Sequence, residues 1–140
     1  MNLSQWKRAV ALGASLLLTS AVCADDHELH EAMEKIGQAM GTLRKAVPAK
    51  NMTEVSNAAA IMMAELPKSL PSWESRNFQD AVAWTREAIA HAGDLKASAD
   101  ANNAEGVSAA MSKLGGTCKS CHTAHREEIP DTNPKKYRIK

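Results

Sequence analysis

Leu29-His30-Glu31-Ala32-Met33-Glu34-Lys35-Ile36-Gly37-Gln38-Ala39-Met40-Gly41-Thr42-Leu43-Arg44-Lys45-Ala46-Val47 is the stretch whose spacing decides the fold. Its apolar residues Leu29, Met33, Ile36, Met40, Leu43 and Val47 recur at alternating steps of four and three. A helix returns side chains three and four positions apart to the same side, so these six form one stripe of a helix that packs in a bundle. A half-buried strand would alternate with period two, and this stretch does not. Asp25 and Asp26 suit the start of the helix, and Pro48 ends it.

The same period recurs downstream. A second helix is expected from about Thr53 to Leu66, with Val55, Ala58, Ala59, Met62 and Leu66 on one face. Pro67 to Ser75 holds two prolines and interrupts the pattern. A third helix follows, with Phe78, Val82, Thr85, Ile89, Ala92 and Leu95 facing inward. Asp100 to Asn103 reads as a polar turn. A fourth helix is expected from about Ala104 to Ile129, carrying Val107, Met111, Leu114, Cys118, Cys121 and His125, before Pro130. Four amphipathic helices with short connections predict an all-α, antiparallel up-down-up-down bundle. The tail from Asp131 to Lys140 is basic and expected to be loose. No internal repeat or low-complexity segment competes with this reading.

The expected fourth helix contains Cys118-Lys119-Ser120-Cys121-His122. C-x-x-C-H is the attachment motif of a c-type haem: two thiols form thioethers with the porphyrin, and the next histidine supplies an axial iron ligand. On a helix these residues stand at i, i+3 and i+4, so one face presents all three. A redox dithiol would want a βαβ context, and no strand pattern is present. A structural zinc site would want four ligands, and the motif supplies three. Gly115 and Gly116 lie one turn earlier. Glycine inside a helix is costly. Close approach of the haem plane to the backbone would account for it, and a mild kink is the alternative.

The N-terminus predicts export. Lys7 and Arg8 form a basic region, and Ala9 to Leu18 an apolar one too short to span a bilayer. Val22-Cys23-Ala24 supplies small residues before a cut, so residues 1–24 read as a signal peptide removed after Ala24. Lipidation of Cys23 and an uncut anchor are the alternatives. Export suits the motif, because c-type haem is attached outside the cytoplasm. A periplasmic location and no stable membrane insertion after cleavage are expected. The remaining part, about 116 of the 140 residues, suffices for one domain, assigned to 25–130 with the tail 131–140. Loss of Lys7 and Arg8 leaves the chain close to neutral, which argues against nucleic acid as a partner. With Cys23 removed, no cysteine is left for a structural disulfide.

The sixth iron ligand is narrowed by position. In this topology the start of the first helix lies at the same end as the finish of the fourth. Met33 and His122 each fall about seven residues from that end, about 10 Å at about 1.5 Å per residue. Met62 and Met63 are roughly level and compete. His30 would compete if the helix were rotated. Met40 lies two turns deeper. His91, far along the third helix, is expected to be a surface or satisfied histidine.

The mature chain resembles a class II cytochrome c, the family of cytochrome c′ and its low-spin, methionine-ligated relatives. The resemblance rests on the single haem motif near the C-terminus, the four-helix pattern, Gly115, and Arg126 four residues after the axial histidine. The run Ala32-Met33-Glu34-Lys35-Ile36-Gly37-Gln38-Ala39-Met40-Gly41 resembles the first helix of the low-spin branch, where a methionine four residues before a glycine binds iron. The resemblance thus implies one covalent haem c on Cys118 and Cys121, His122 as proximal ligand, Met33 as distal ligand, and Arg126 as a propionate partner. Leu29 stands where many members carry an arginine near the propionates. His125 replaces a frequent tyrosine and is expected to face solvent, with a hydrogen bond to a propionate as the alternative. The segment around Trp73 also differs, and Trp84 is expected either against the haem or in the bundle core.

Two functions from different classes follow. With His122 and Met33 both bound, the iron would be low-spin, and the protein a one-electron carrier between periplasmic redox partner proteins. With Met33 unbound, a closed apolar pocket would bind nitric oxide or carbon monoxide, as a high-spin cytochrome c′. No nucleophile–base pair stands out, so no catalytic residue and no enzymatic activity are expected. Dimerisation through the first two helices occurs in that family and stands here as the alternative to a monomer.

Overall fold

A computed structural model describes residues 19–140, with side chains from Asp26 onward. The basic and apolar regions expected of a signal peptide lie outside the described residues. The expected cut after Ala24 falls in the first turns of helix α1.

Helix α1 spans Thr19–Ala46 and ends on Arg44 and Lys45, cations that complement the negative end of its dipole. Lys50, at φ 53°, turns the chain. The Asn51 side chain accepts from the Glu54 N–H at 3.3 Å and caps helix α2, Met52–Glu65. The segment expected to break the pattern instead winds into a 3-10 turn, Leu66–Ser69, and a short helix α3, Leu70–Ser75. Pro67 and Pro71 each sit in the opening turn of their element, where a missing N–H is no loss. Asn77, at φ 58°, leads into helix α4, Gln79–Asp100. Asn103 then accepts from the Gly106 N–H at 3.1 Å and starts helix α5, Ala104–His125.

The four long helices α1, α2, α4 and α5 form a four-helix bundle, as the periodicity predicts. Helix α1 packs on α2, α2 on α4, and α4 on α5. The backbones of α1 and α5 scarcely approach each other. The main core holds Leu43, Val55, Met62, Leu95, Val107 and Leu114, all sealed from solvent. The α1 stripe is rotated slightly from expectation. Ala32, Ala39 and Ala46 are fully buried, while Met33, Met40 and Val47 are half-buried beside them. A smaller cluster at the α3 end gathers Leu29, Trp73, Ala81 and Val82, with Met33, Phe78, Cys121 and Ile139 packed against it.

Two expectations about the C-terminus are corrected. Helix α5 ends at His125 rather than Ile129. Arg126, extended at φ −122° and ψ 129°, opens strand β1, Arg126–Ile129. Glu127 and Glu128 would meet the negative end of the helix dipole if α5 continued. As a strand they instead face cations. The tail is not loose, because Lys136–Ile139 forms strand β2, antiparallel to β1. Arg138 bonds Glu127 at 2.8 Å, Lys135 bonds Glu128 at 3.1 Å, and Ile139 packs into the smaller cluster. No helix among the described residues is long and apolar enough to cross a membrane.

Candidate haem site

Where α1 and α5 stand apart, an open-sided cavity lies between them. Helix α5 contributes Thr117, Cys118, Cys121 and His122, and α1 contributes Met33 and Ile36. Leu66 from the 3-10 turn and Trp84, Thr85 and Ala88 from α4 complete the lining. The i, i+3, i+4 spacing thus places both thiols and the imidazole on one wall, facing an otherwise largely apolar cleft. The expected helical register does not hold as counted, since His122 lies three residues before the end of α5 and α1 begins upstream of Asp25. Met33 and His122 nevertheless line the same cavity.

The other candidate ligands separate cleanly. Met62 is sealed in the main core and does not line the cavity. Met63 is 38% exposed, and His30 lies on the exposed face of α1. Met40 packs beside the main core. His91 departs from expectation: it is half-buried, and its Nδ1 is buried without a hydrogen-bond partner. Gly115 and Gly116 have open space where a Cβ would stand. The protein itself therefore does not exclude a side chain at either position.

The electrostatics of the motif argue against a redox dithiol. Burial pushes the Cys121 thiol up to about 11, and nearby Cys118 and Asp80 push the same way. Burial also raises Cys118. Reactive cysteine pairs need the opposite, a thiolate stabilised by a helix N-terminus or cations. These two lie near the C-terminal end of α5. His122 is pushed below the usual imidazole value by burial first and the Arg126 charge second. It is thereby kept neutral with a lone pair free for a metal. Among the described residues no group of three or more His, Cys, Asp or Glu converges as a metal site, so a zinc site lacks its ligands.

Two flanking residues are placed differently from expectation. His125 does not face solvent. Its side chain is 13% exposed, its ring stacks on Phe78 at 4.4 Å, and its Nε2 lies 3.0 Å from both carboxylate oxygens of Asp80. Trp73 and Trp84 flank the same ring at 6.3 and 6.2 Å. Arg126, expected near a propionate, lies over the Tyr137 ring at 4.1 Å. Neither contact is readable without the hairpin and α3, which bring distant residues onto the end of α5. Trp84, one of two alternatives in the sequence, lines the cavity half-buried.

The residues present fit a covalently held haem. They offer two thiols at i and i+3, an adjacent neutral imidazole, a thioether on the facing helix, and an apolar cleft open along one side. No protein-family profile matches this chain, and no curated protein sequence does. Among solved structures it is similar to cytochrome c′ from Thermochromatium tepidum, with a TM-score of 0.59 over 83% of this chain and 97% of that one. At 19% identity that likeness shows the fold, and the fold is that of cytochrome c′.

Proposed function

We propose that this protein is an exported monohaem c-type cytochrome that carries single electrons between periplasmic partner proteins. The haem would supply a one-electron iron couple. Cys118 and Cys121 would fix its ring edge, and His122 would bind the iron from the α5 side. Met33 would supply the second axial ligand from α1. The observation that carries this reading is that Met33 alone of the candidate methionines lines the cavity opposite His122. A thioether ligand favours the reduced iron and raises the potential. The Met33 backbone is held in a bundle helix, with Ala32 and Ile36 buried on either side. The remaining wall, from Ile36, Leu66 and Ala88, is apolar.

Likeness to cytochrome c′ favours a second reading. In it Met33 stays packed against Leu29 and Trp73 in the smaller cluster, and the apolar distal side admits nitric oxide or carbon monoxide. Neither reading assigns an enzymatic role, and no charged or hydroxyl side chain other than Thr85 and Thr117 joins His122 on the lining.

An optical spectrum of the purified holoprotein, oxidised and reduced, before and after carbon monoxide, separates the two. A low-spin spectrum with a methionine-to-iron charge-transfer band, unchanged by carbon monoxide, supports the electron carrier. Met33→Ala is then expected to abolish that band and open the iron to carbon monoxide. A wild-type spectrum that is high-spin and shifts with carbon monoxide overturns the carrier reading in favour of gas binding.

A further inference from the structure

Trp73 is 4% exposed, yet its indole Nε1–H has no hydrogen-bond partner. Buried tryptophan N–H groups are normally paired, because an unmet buried donor forfeits its hydration without return. The indole is held firmly in this position. Trp73 lies in α3, its carbonyl accepts from the Phe78 N–H at 3.0 Å, and neighbouring Ser72 is anchored by Arg76 at 2.9 Å. Its cluster is apolar: Leu29, Ala81 and Val82, joined by Met33, Phe78, Cys121 and Ile139. Such surroundings suit a bridging water poorly, since a buried water needs two to four polar partners. The nearest ring with a polar edge, His125, has its Nε2 engaged by Asp80.

The missing acceptor is therefore one that arrives with a ligand. Met33 and Cys121, which pack against this cluster, also line opposite walls of the cavity. A haem seated there would carry two polar groups at its edge, both of them propionate carboxylates. Leu29 has no donor, the His125 Nε2 lies on Asp80, and Arg126 lies over the Tyr137 ring. We infer that the Trp73 indole N–H is the hydrogen-bond donor to a propionate of the bound haem. The inference rests on the haem-binding reading above. A donor to a carboxylate drains part of its negative charge, so Trp73 also raises the reduction potential of the iron.

The test uses the holoprotein. A haem stain of the denatured chain first establishes covalent haem; its absence defeats the haem reading itself and this inference with it. With haem present, resonance Raman spectra of wild type and Trp73→Phe are compared. Phenylalanine keeps the apolar ring and removes only the donor. The propionate bending band is expected to shift and the reduction potential to fall. An unmoved band in the haem-loaded variant overturns the donor assignment and leaves the haem reading intact. If Trp73→Phe does not fold, the wild-type indole proton decides. Trp84→Phe removes the other indole of the mature chain and so assigns it. Slow exchange with solvent and a hydrogen-bonded shift support the assignment, and exchange at the rate of a free indole overturns it.

Discussion

Asp80 opens α4 and His125 closes α5, so their contact joins residues 45 positions apart at the mouth of the site. Desolvation would raise the Asp80 carboxyl, but the hydrogen bonds from His125 and the Ala81 N–H outweigh it and hold the group below its ordinary value. Its folded value lies under its unfolded one, so the contact stabilises fully above the ordinary aspartate range. That contribution is lost as pH falls through the depressed folded value. Asp80→Asn is expected to melt earlier than wild type at neutral pH, with the gap closing in acid. A gap that stays constant down to low pH in thermal melts would remove this account. In the core the relevant quantity is volume. Leu114 is fully buried, whereas Ile61 is 47% exposed. Leu114→Ala is expected to cost about 2–5 kcal/mol in urea unfolding, and Ile61→Ala about 0.5 kcal/mol or less. Comparable costs at the two sites would show that the bundle core is not where these contacts place it.

At the scale of elements, the long helices are legible because each repeats one apolar face for three or more turns. The start of α5 is legible for a local reason: Asn103 caps it. The C-terminal hairpin is not legible, because its cause is non-local. Arg126, Glu127, Glu128 and Ile129 carry no strand period of their own, and their conformation follows from partners in β2. Helix α3 is hidden for a different reason: its prolines read as breakers but occupy first-turn positions. The same division applies to the site. The motif fixes which residues share a face of α5, whereas the surroundings of Trp73 and His125 depend on α3 and the hairpin and escape any local reading. The hairpin also bears on stability. Ile139 is its only described contact with the smaller cluster, beside Leu29 and Trp73. Truncation after Pro130 is expected to lower the melting temperature and shift tryptophan emission to the red, as water reaches Trp73. Tyr137→Ala, which removes an exposed cation–π contact, is expected to cost only about 0.5–1 kcal/mol. A truncated chain with unchanged emission would mean that β2 does not shield the cluster.

For the whole molecule, the arrangement of helices is asymmetric. Three of the four neighbouring interfaces are packed, and the fourth, between α1 and α5, is held apart at the cavity. A bundle closes by burying one apolar stripe of every helix against another. Here Met33, Ile36, Trp84 and Ala88 direct part of those stripes at a cleft instead. A haem anchored by Cys118 and Cys121 would fill it and tie α5 to the α1 side through apolar contact on both faces. On that reading the prosthetic group would be part of the core, since α1 and α5 make little direct contact with each other. Ligands that bind the folded state alone shift folding by mass action, and a covalent one cannot dissociate. Cys118→Ser with Cys121→Ser is therefore expected to yield a chain that keeps helical content but loses its cooperative melt and exposes apolar surface to a dye. Either serine alone, retaining one thioether, is expected to fall between that chain and wild type. Far-ultraviolet circular dichroism melts of the purified chains check this. A doubly substituted protein that melts as sharply as wild type, without dye binding, would show that α1 and α5 close on each other unaided.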